Sequence, residues 1–363
     1  MDQKQRLLDT LVTLDNIFGV SGEEYRVGEQ LSKELKGCYD ELIVDPIGNY
    51  IFHKKGKGKK VLLSCHMDEI GFMVRFIDDA GLLHIVPVGY HDDRMVINQD
   101  MVIYTKEGTV EGVTGGKPAH LTGGDENKVT SMDDITVDIG ALSRKEAEDL
   151  GVRIGDYLHY NRIGKFLNST KIYSGKSVDN RSGCAVCCEA FRRLVEESTN
   201  IDLYLAGTVQ EELGARGAGV VGNRIQPDMA IVVDVTIVGG VNGIELSQVP
   251  VETGKGPAIK YYDWDPNDGM GINVPKHIVR MMEKTAEVNN IPYQREVLMH
   301  GGTDGYTLAK SGNGVATGVL SIPQRYMHTA VGTVHTDDLE NSVCLLVKCI
   351  EDNFESDSNY SHT

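Results

Sequence analysis

Apolar residues recur with helical spacing from residue 5 to 36: Leu7, Leu8, Leu11 and Leu14 make one stripe, and Val27, Leu31 and Leu35 a second. The segment "GVSGEE" separates them, offering a glycine stop and Ser21 as a cap with Glu24 three residues on. The texture then changes. "ELIVDPIGNYIFHKK" and "KKVLLSCHMDEIGFMVRFI" are runs rich in Val, Ile and Phe that predict strands, and the lysine-rich "KKGKGKK" shared between them reads as a solvated hairpin tip. From about residue 72 to 165 short strands and glycine turns dominate: "GLLHIVPVG", "DMVIYTKEGTVEGVTG", "DDITVDIGA" and "GVRIGDYLHY", interrupted by one helical segment, "SRKEAEDLG". After residue 170 helix and strand alternate, with a helix from about 183, strands "IDLYLAGTV" and "MAIVVDV", and helices from about 275 and 339. Such alternation predicts an α/β fold in which helices cover both faces of a sheet, with a small β-rich module inserted. The polar tail "ESDSNYSHT" is expected to fray.

A chain of 363 residues, 40% of them hydrophobic, has material for one large domain and a smaller one. Its formal charge of -17 repels phosphate backbones and anionic lipid heads, which argues against nucleic acid and membrane surfaces as partners. No stretch approaches the roughly 20 apolar residues of a membrane span, and the charged N-terminus does not read as a signal peptide. Seven cysteines scattered through the chain fit free thiols in a reducing cytoplasm better than a disulfide framework. Cys184 and Cys187 form a C-x-x-C within a helical pattern, with no second pair to complete a zinc site, so helix packing is the reading preferred over redox chemistry.

Ligands in open α/β sheets gather beyond the carboxyl ends of the strands, and several polar residues here fall at such places. "VLLSCHMDE" ends on His66 and Asp68, two positions apart and pointing to one side of an extended segment, so His66 can bind a metal while Asp68 supports it. Asp179 lies in a loop just before a helix. Glu211 and Glu212 end one run of β-type residues and Asp234 ends another, while His328 follows near the C-terminus. Two histidines with several carboxylates form a mixed N and O set suited to zinc, cobalt or manganese. Each alone has a plainer reading: a hydrogen-bonded structural histidine, a helix cap at Asp179, a turn former at Asp234, a solvated strand end at the glutamate pair.

Order and context tip the balance. "HMDEIGFMV", then "DNRSG", "TVQEELGARGA", "VVDVT", "GGTDGYTLAKSGNG" and "RYMHT" closely resemble the glutamyl aminopeptidase and cellulase M family, which includes the tetrahedral aminopeptidases. The resemblance covers nearly the whole chain, including "SGEE", "VDPIGN" and "VDIGA". It implies a zinc-exopeptidase-like mixed sheet flanked by helices, built from residues 1–71 and 166–363, with a β-rich dimerisation domain at 72–165. It also implies two divalent ions per subunit, zinc or cobalt first and manganese next. Asp179 would bridge them, His66 and Asp234 complete one site, Glu212 and His328 the other, and Glu211 act as general base; Asp68 is the second catalytic candidate. The peptide after Asp179 is expected to be cis. Gly332 stands where relatives often carry an acidic residue, His335 is a competing ligand to His328, and His300 either lines the pocket or is structural.

These implications converge on a metal-dependent aminopeptidase acting on short peptides, with a homodimer that assembles into a tetrahedral dodecamer. A di-metal deacylase of small N-acylated compounds is the alternative. A glucan hydrolase using Glu211 and Glu212 as acid and nucleophile fits poorly, because such carboxylates flank a bond at about 5 to 9.5 Å and sequence neighbours seldom face each other across a cleft. A non-catalytic scaffold would need ligand losses that the sequence does not show.

Overall fold

The computed structural model describes residues 2–121, 128–197 and 200–354; the tail expected to fray lies outside them. The chain opens with α1 (Gln3–Asp15), α2 (Tyr25–Glu34), β1 (Glu41–Val44), β2 (Tyr50–Lys54) and β3 (Lys60–His66). A second unit follows: β4 (Gly71–Ile77), β5 (Leu83–Val88), α3 (Asp93–Val96), β6 (Asp100–Thr105), β7 (Gly108–Thr114), β8 (Thr136–Asp138), α4 (Arg144–Asp149) and β9 (Tyr157–Tyr160). The chain then returns through β10 (Lys165–Phe166), β11 (Ile172–Gly175), α5 (Val178–Glu196), β12 (Asp202–Thr208), α6 (Arg216–Ile225) and β13 (Met229–Ile237). It ends with β14 (Ala258–Trp264), β15 (Gly271–Asn273), α7 (Lys276–Val288), β16 (Gln294–Met299), α8 (Gly305–Ala309), β17 (Thr317–Arg325), β18 (Gly332–His335) and α9 (Thr336–Phe354).

The main sheet runs β1-β2-β12-β3-β13-β17-β18-β11-β10, with β14 branching from β17 and carrying β15 and β16. Its centre is parallel: β12 pairs with β3, β3 with β13, and β13 with β17. Every residue of β13 from Met229 to Thr236 is buried, as expected where helices cover both faces of a parallel sheet. Helices α1, α5 and α9 pack together, and α6 pairs with α8. Strands β4 to β9 close into a barrel in the order β4-β5-β8-β7-β6-β9. It has its own core, with Phe72, Val74, Leu83, Ile85, Val137 and Leu158 inside.

Two local expectations fail for identifiable reasons. The lysine-rich segment is not a hairpin tip, because β12 lies between β2 and β3, antiparallel to one and parallel to the other. Local sequence could not announce a strand arriving from residue 202. Ser21 does not cap α2 either; Glu24 occupies the N-cap, and the Ser21 hydroxyl donates to Asp68 at 2.5 Å instead. By contrast, Cys184, Cys187 and Cys188 are buried free thiols on α5, packed as the helical pattern indicated.

Candidate metal centre and active site

The parallel strands β3, β12, β13 and β17 deliver their downstream ends to one rim of the sheet. His66 is the last residue of β3, level with Thr208 at the end of β12. Glu211 and Glu212 follow in the turn toward α6, where the carbonyl of Glu211 accepts from the backbone N–H groups of Gly214 and Ala215. Gly214 has φ +109° with open space where a Cβ would sit, so conformation rather than room calls for glycine there. Asp234 sits within β13, which continues three residues past it to Ile237, and His328 follows β17 with φ +56°. Asp179 enters from the start of α5, where it and Asn180 depart from helical geometry, and their peptide bond is cis, as expected.

These side chains converge as two groups of three. His66 Nε2 lies 3.2 Å from Asp179 Oδ1 and 3.4 Å from Asp234 Oδ1. His328 Nε2 lies 3.3 Å from Asp179 Oδ2 and 3.5 Å from Glu212 Oε2. Asp179 therefore offers one oxygen to each group. Donor atoms that share a tetrahedral ion at bonds of about 2.1 Å stand about 3.4 Å apart, close to the distance from each histidine to its two carboxylates.

Each imidazole is also oriented for ligation. His66 Nδ1 faces the backbone carbonyl of Asp68 at 3.2 Å, and His328 Nδ1 faces the carbonyl of Tyr90 at 2.8 Å. A carbonyl can only accept, so each Nδ1 carries a proton, which leaves each Nε2 as the ring atom facing its group and the one that would ligate a metal in place of its own proton. Tyr90 belongs to the β-barrel unit, lying between β5 and α3.

Asp68 binds the rim together. Its Oδ1 accepts the N–H of Glu211 and its Oδ2 the N–H of Glu212, each at 3.1 Å, besides the Ser21 hydroxyl. Burial alone would raise its pKa, yet His66, Ser21 and the Glu211 amide hold the carboxyl below its ordinary value. Glu211 belongs to neither group of three. Burial pushes its carboxyl well above the usual range, and burial likewise lifts Glu212 to about 8, Asp304 to about 7 and Asp234 above its ordinary value. Burial opposes protonation of His328, but Glu212 and Asp179 prevail and raise it to about 10; His66 is raised likewise by Asp234 and Asp179. So many carboxylates against two imidazoles leave a deficit of positive charge, and divalent cations would relieve it.

Of the residues singled out in the sequence, His66, Asp179, Glu211, Glu212, Asp234 and His328 line one cavity of about 550 Å³, with Asp68 directly beneath the glutamates. His300 lines the same cavity. His335 ends β18 outside both groups, its Nδ1 accepting from the Asp337 N–H. Gly332 has no room for an acidic side chain, since a Cβ there would lie 2.5 Å from Val178 and 2.7 Å from Gln324. Sequence reasoning missed Ser21, Tyr90 and Asp304 as parts of the site. Asp304 is fully buried and takes a hydrogen bond from Thr208; its place inside "GGTDG" was the available signal.

Comparison with known proteins assigns this geometry. The sequence profile of the M42 glutamyl aminopeptidases matches residues 48–345. The chain belongs to that family. It is 35% identical over 343 residues to the lysyl aminopeptidase of Pyrococcus furiosus, covering 92% of this chain and 94% of that one. Among solved structures, an aminopeptidase from Desulfurococcus kamchatkensis superposes with a TM-score of 0.92 at 34% identity, covering 98% of this chain and 97% of its own. The Pyrococcus horikoshii TET1 peptidase, described as assembling into a tetrahedron or a large octahedral shell, superposes at 0.84 with 31% identity over 94% and 98% of the two chains. This M42 chain is thus a peptide hydrolase with aminopeptidase activity. Metal dependence is general in the family, and the two groups of three are its candidate ligands here. No helix among the described residues is long and apolar enough to cross a membrane.

Proposed function

We propose that the M42 chain is a two-metal aminopeptidase in which Asp179 bridges, His66 and Asp234 complete one ion site, and Glu212 and His328 complete the other. The observation that carries this reading is Asp179, whose two carboxylate oxygens point to different histidine Nε2 atoms at 3.2 and 3.3 Å. The N and O donor set suits zinc or cobalt, with manganese next. When bound, such ions supply Lewis acidity to a scissile carbonyl and to water.

The protein's own groups do the rest. Glu211, on the cavity wall but outside both ligand groups, takes the proton of the attacking water and returns it to the leaving amine. Asp68 fixes both glutamates through their backbone amides, so that one side chain is held for ligation while its neighbour moves a proton. Residues 1–71 and 166–363 form the catalytic domain and 72–165 a dimerisation domain, through which dimers build a tetrahedral dodecamer acting on short peptides in the cytoplasm. The resemblance of fold to the TET1 peptidase supports that assembly. The reading is tested by hydrolysis of free against N-acetylated aminoacyl substrates, with and without chelator. Cleavage of free substrates alone, lost on chelation and restored by zinc or cobalt, is expected; cleavage of blocked substrates alone points to a deacylase and ends the proposal.

A further inference from the structure

Beyond the two ligand groups, the cavity has a wall that the chemistry of hydrolysis does not use. It is formed by Asp265, Asn267, Asp268 and Met270 from the connection between β14 and β15, faced by His300 to Gly302. The connection is a folded turn. Gly269 N–H donates to the Asp265 carbonyl at 2.9 Å, and Asp265 N–H to the Met270 carbonyl at 2.8 Å. Asp265 Oδ1 accepts from the Asn267 N–H at 2.7 Å, and Asp268 Oδ1 from the Met270 N–H at 2.8 Å. Each carboxylate thus commits one oxygen to the turn's own backbone. The Oδ2 of each has no hydrogen-bond or ion-pair partner among the described residues.

The turn is anchored from below. Asp263, fully buried, accepts the Ile272 N–H at 2.8 Å and pairs with buried Lys260 at 3.1 Å, so both feet of the turn are fixed. The opposite wall is tied to it through the His300 N–H, which donates to the Trp264 carbonyl at 2.9 Å. A fixed wall with unspent anionic oxygens can discriminate among side chains.

We infer that this wall selects a basic N-terminal residue, lysine or arginine, with Asp265 and Asp268 as the specificity-determining groups. The inference rests on the aminopeptidase reading above, which places the substrate's first residue in this cavity. Asp179, Glu212 and Asp234 are engaged in the ligand groups and Glu211 in proton transfer, so Asp265 and Asp268 are the acidic residues of the lining left to meet a side chain. No lysine or arginine lines the cavity to neutralise them. Met270 and Met327 supply adaptable apolar surface along which the methylene stem of a lysine or arginine can lie. An acidic first residue, the kind in the family's name, would meet like charge on that wall, and negative charge against negative charge is an effective means of exclusion.

The test is kcat/KM of the metal-loaded full-length protein on Lys-, Arg-, Leu- and Glu-p-nitroanilides. Lysine and arginine substrates are expected to lead, and the ratio of lysine to leucine turnover is expected to fall about tenfold in the D265N/D268N double variant. D268K should raise the ratio of glutamate to lysine turnover. Raising ionic strength should lower the lysine to leucine ratio in the unsubstituted protein, a measurement that needs no variant to fold. Preference for the glutamate substrate, a lysine to leucine ratio unmoved by the double substitution, or equal loss on both substrates overturns the inference; equal loss would mean the carboxylates hold the α-ammonium common to every substrate. Brisk leucine hydrolysis without lysine preference removes only this specificity, whereas wild-type protein inert on every unblocked anilide removes the aminopeptidase reading beneath it.

Discussion

Glu211 and Glu212 are adjacent in sequence and share one rim of the sheet, the proposed mechanism gives them different work, and the isosteric change Glu211→Gln separates the two roles. Glu212 Oε2 lies 3.5 Å from His328 Nε2 within a ligand group, whereas Glu211 stands in neither group. Glutamine keeps the volume of Glu211 and leaves its backbone N–H on Asp68, so the rim should keep its shape. What disappears is a proton acceptor. Removing a general base typically lowers the rate by about 10² to 10⁴, equivalent to raising the barrier by about 3 to 5 kcal/mol. Uptake of zinc or cobalt, measured by calorimetry and elemental analysis, should remain at two ions per chain while kcat for an aminoacyl anilide collapses within that range. Glu212→Gln should instead cost one ion, and Asp179→Asn should weaken both. A Glu211→Gln protein that turns over within threefold of wild type, or that binds one ion fewer, would refute the division of labour.

Asp68→Ala should destabilise the fold by about 3 kcal/mol or more, because the Ser21 hydroxyl and the amides of Glu211 and Glu212 would each lose a buried acceptor worth about 1 to 3 kcal/mol, and chemical denaturation of the metal-free protein would measure it. Glu69 is buried against Lys176 at 2.7 Å and Arg181 at 3.4 Å, so Glu69→Ala, which strands those cations, should cost about 3 to 5 kcal/mol, and pairing it with Lys176→Met should recover part of the loss in the same assay. Burial pushes the imidazoles of His91 and His159 down to about 4, against about 6.5 in an unfolded chain. Between those values the unfolded chain binds more protons, so each histidine should remove about 2 kcal/mol of stability as the pH falls from 7 to 5. His159→Gln should flatten that slope in urea titrations, and an unchanged slope would contradict the assignment.

Much of this was legible in the sequence where the determining physics is local. The alternation of apolar runs announced α5, β12, β13 and α7, and the switch to short strands and glycine turns announced the barrel, because periodicity records which face of an element is buried. The candidate residues stand at or near strand ends, where an α/β sheet gathers ligands, but position alone left each with a plainer reading, and it was their joint order, resembling a known family, that singled them out. What the sequence hid was set by partners distant in the chain. Nothing near residue 57 shows that β12 will lie between β2 and β3. Ser21 has the sequence context of a helix cap, and only the folded chain reveals that Asp68, 47 residues on, takes its hydroxyl. Tyr90 contributes a backbone carbonyl, which every residue carries, so no side-chain pattern could have marked it.

That last contact bears on what the barrel is for. A unit whose sole task were to hold subunits together could touch the catalytic sheet anywhere. This one reaches the site through the Tyr90 carbonyl, which fixes a proton on His328 Nδ1, and reaches the connection between β3 and β4 through His159 on β9, whose Nδ1 lies 3.4 Å from Glu69. Glu69 is one residue from Asp68, and Asp68 holds the amides of both glutamates. A shift of the barrel would therefore act at both ends of the site at once, on the orientation of the His328 ring and on the segment that holds the Glu211 amide. Ligand geometry tolerates errors of only a few tenths of an ångström, so on the two-metal reading the barrel would help to place the ligands as well as hold subunits together.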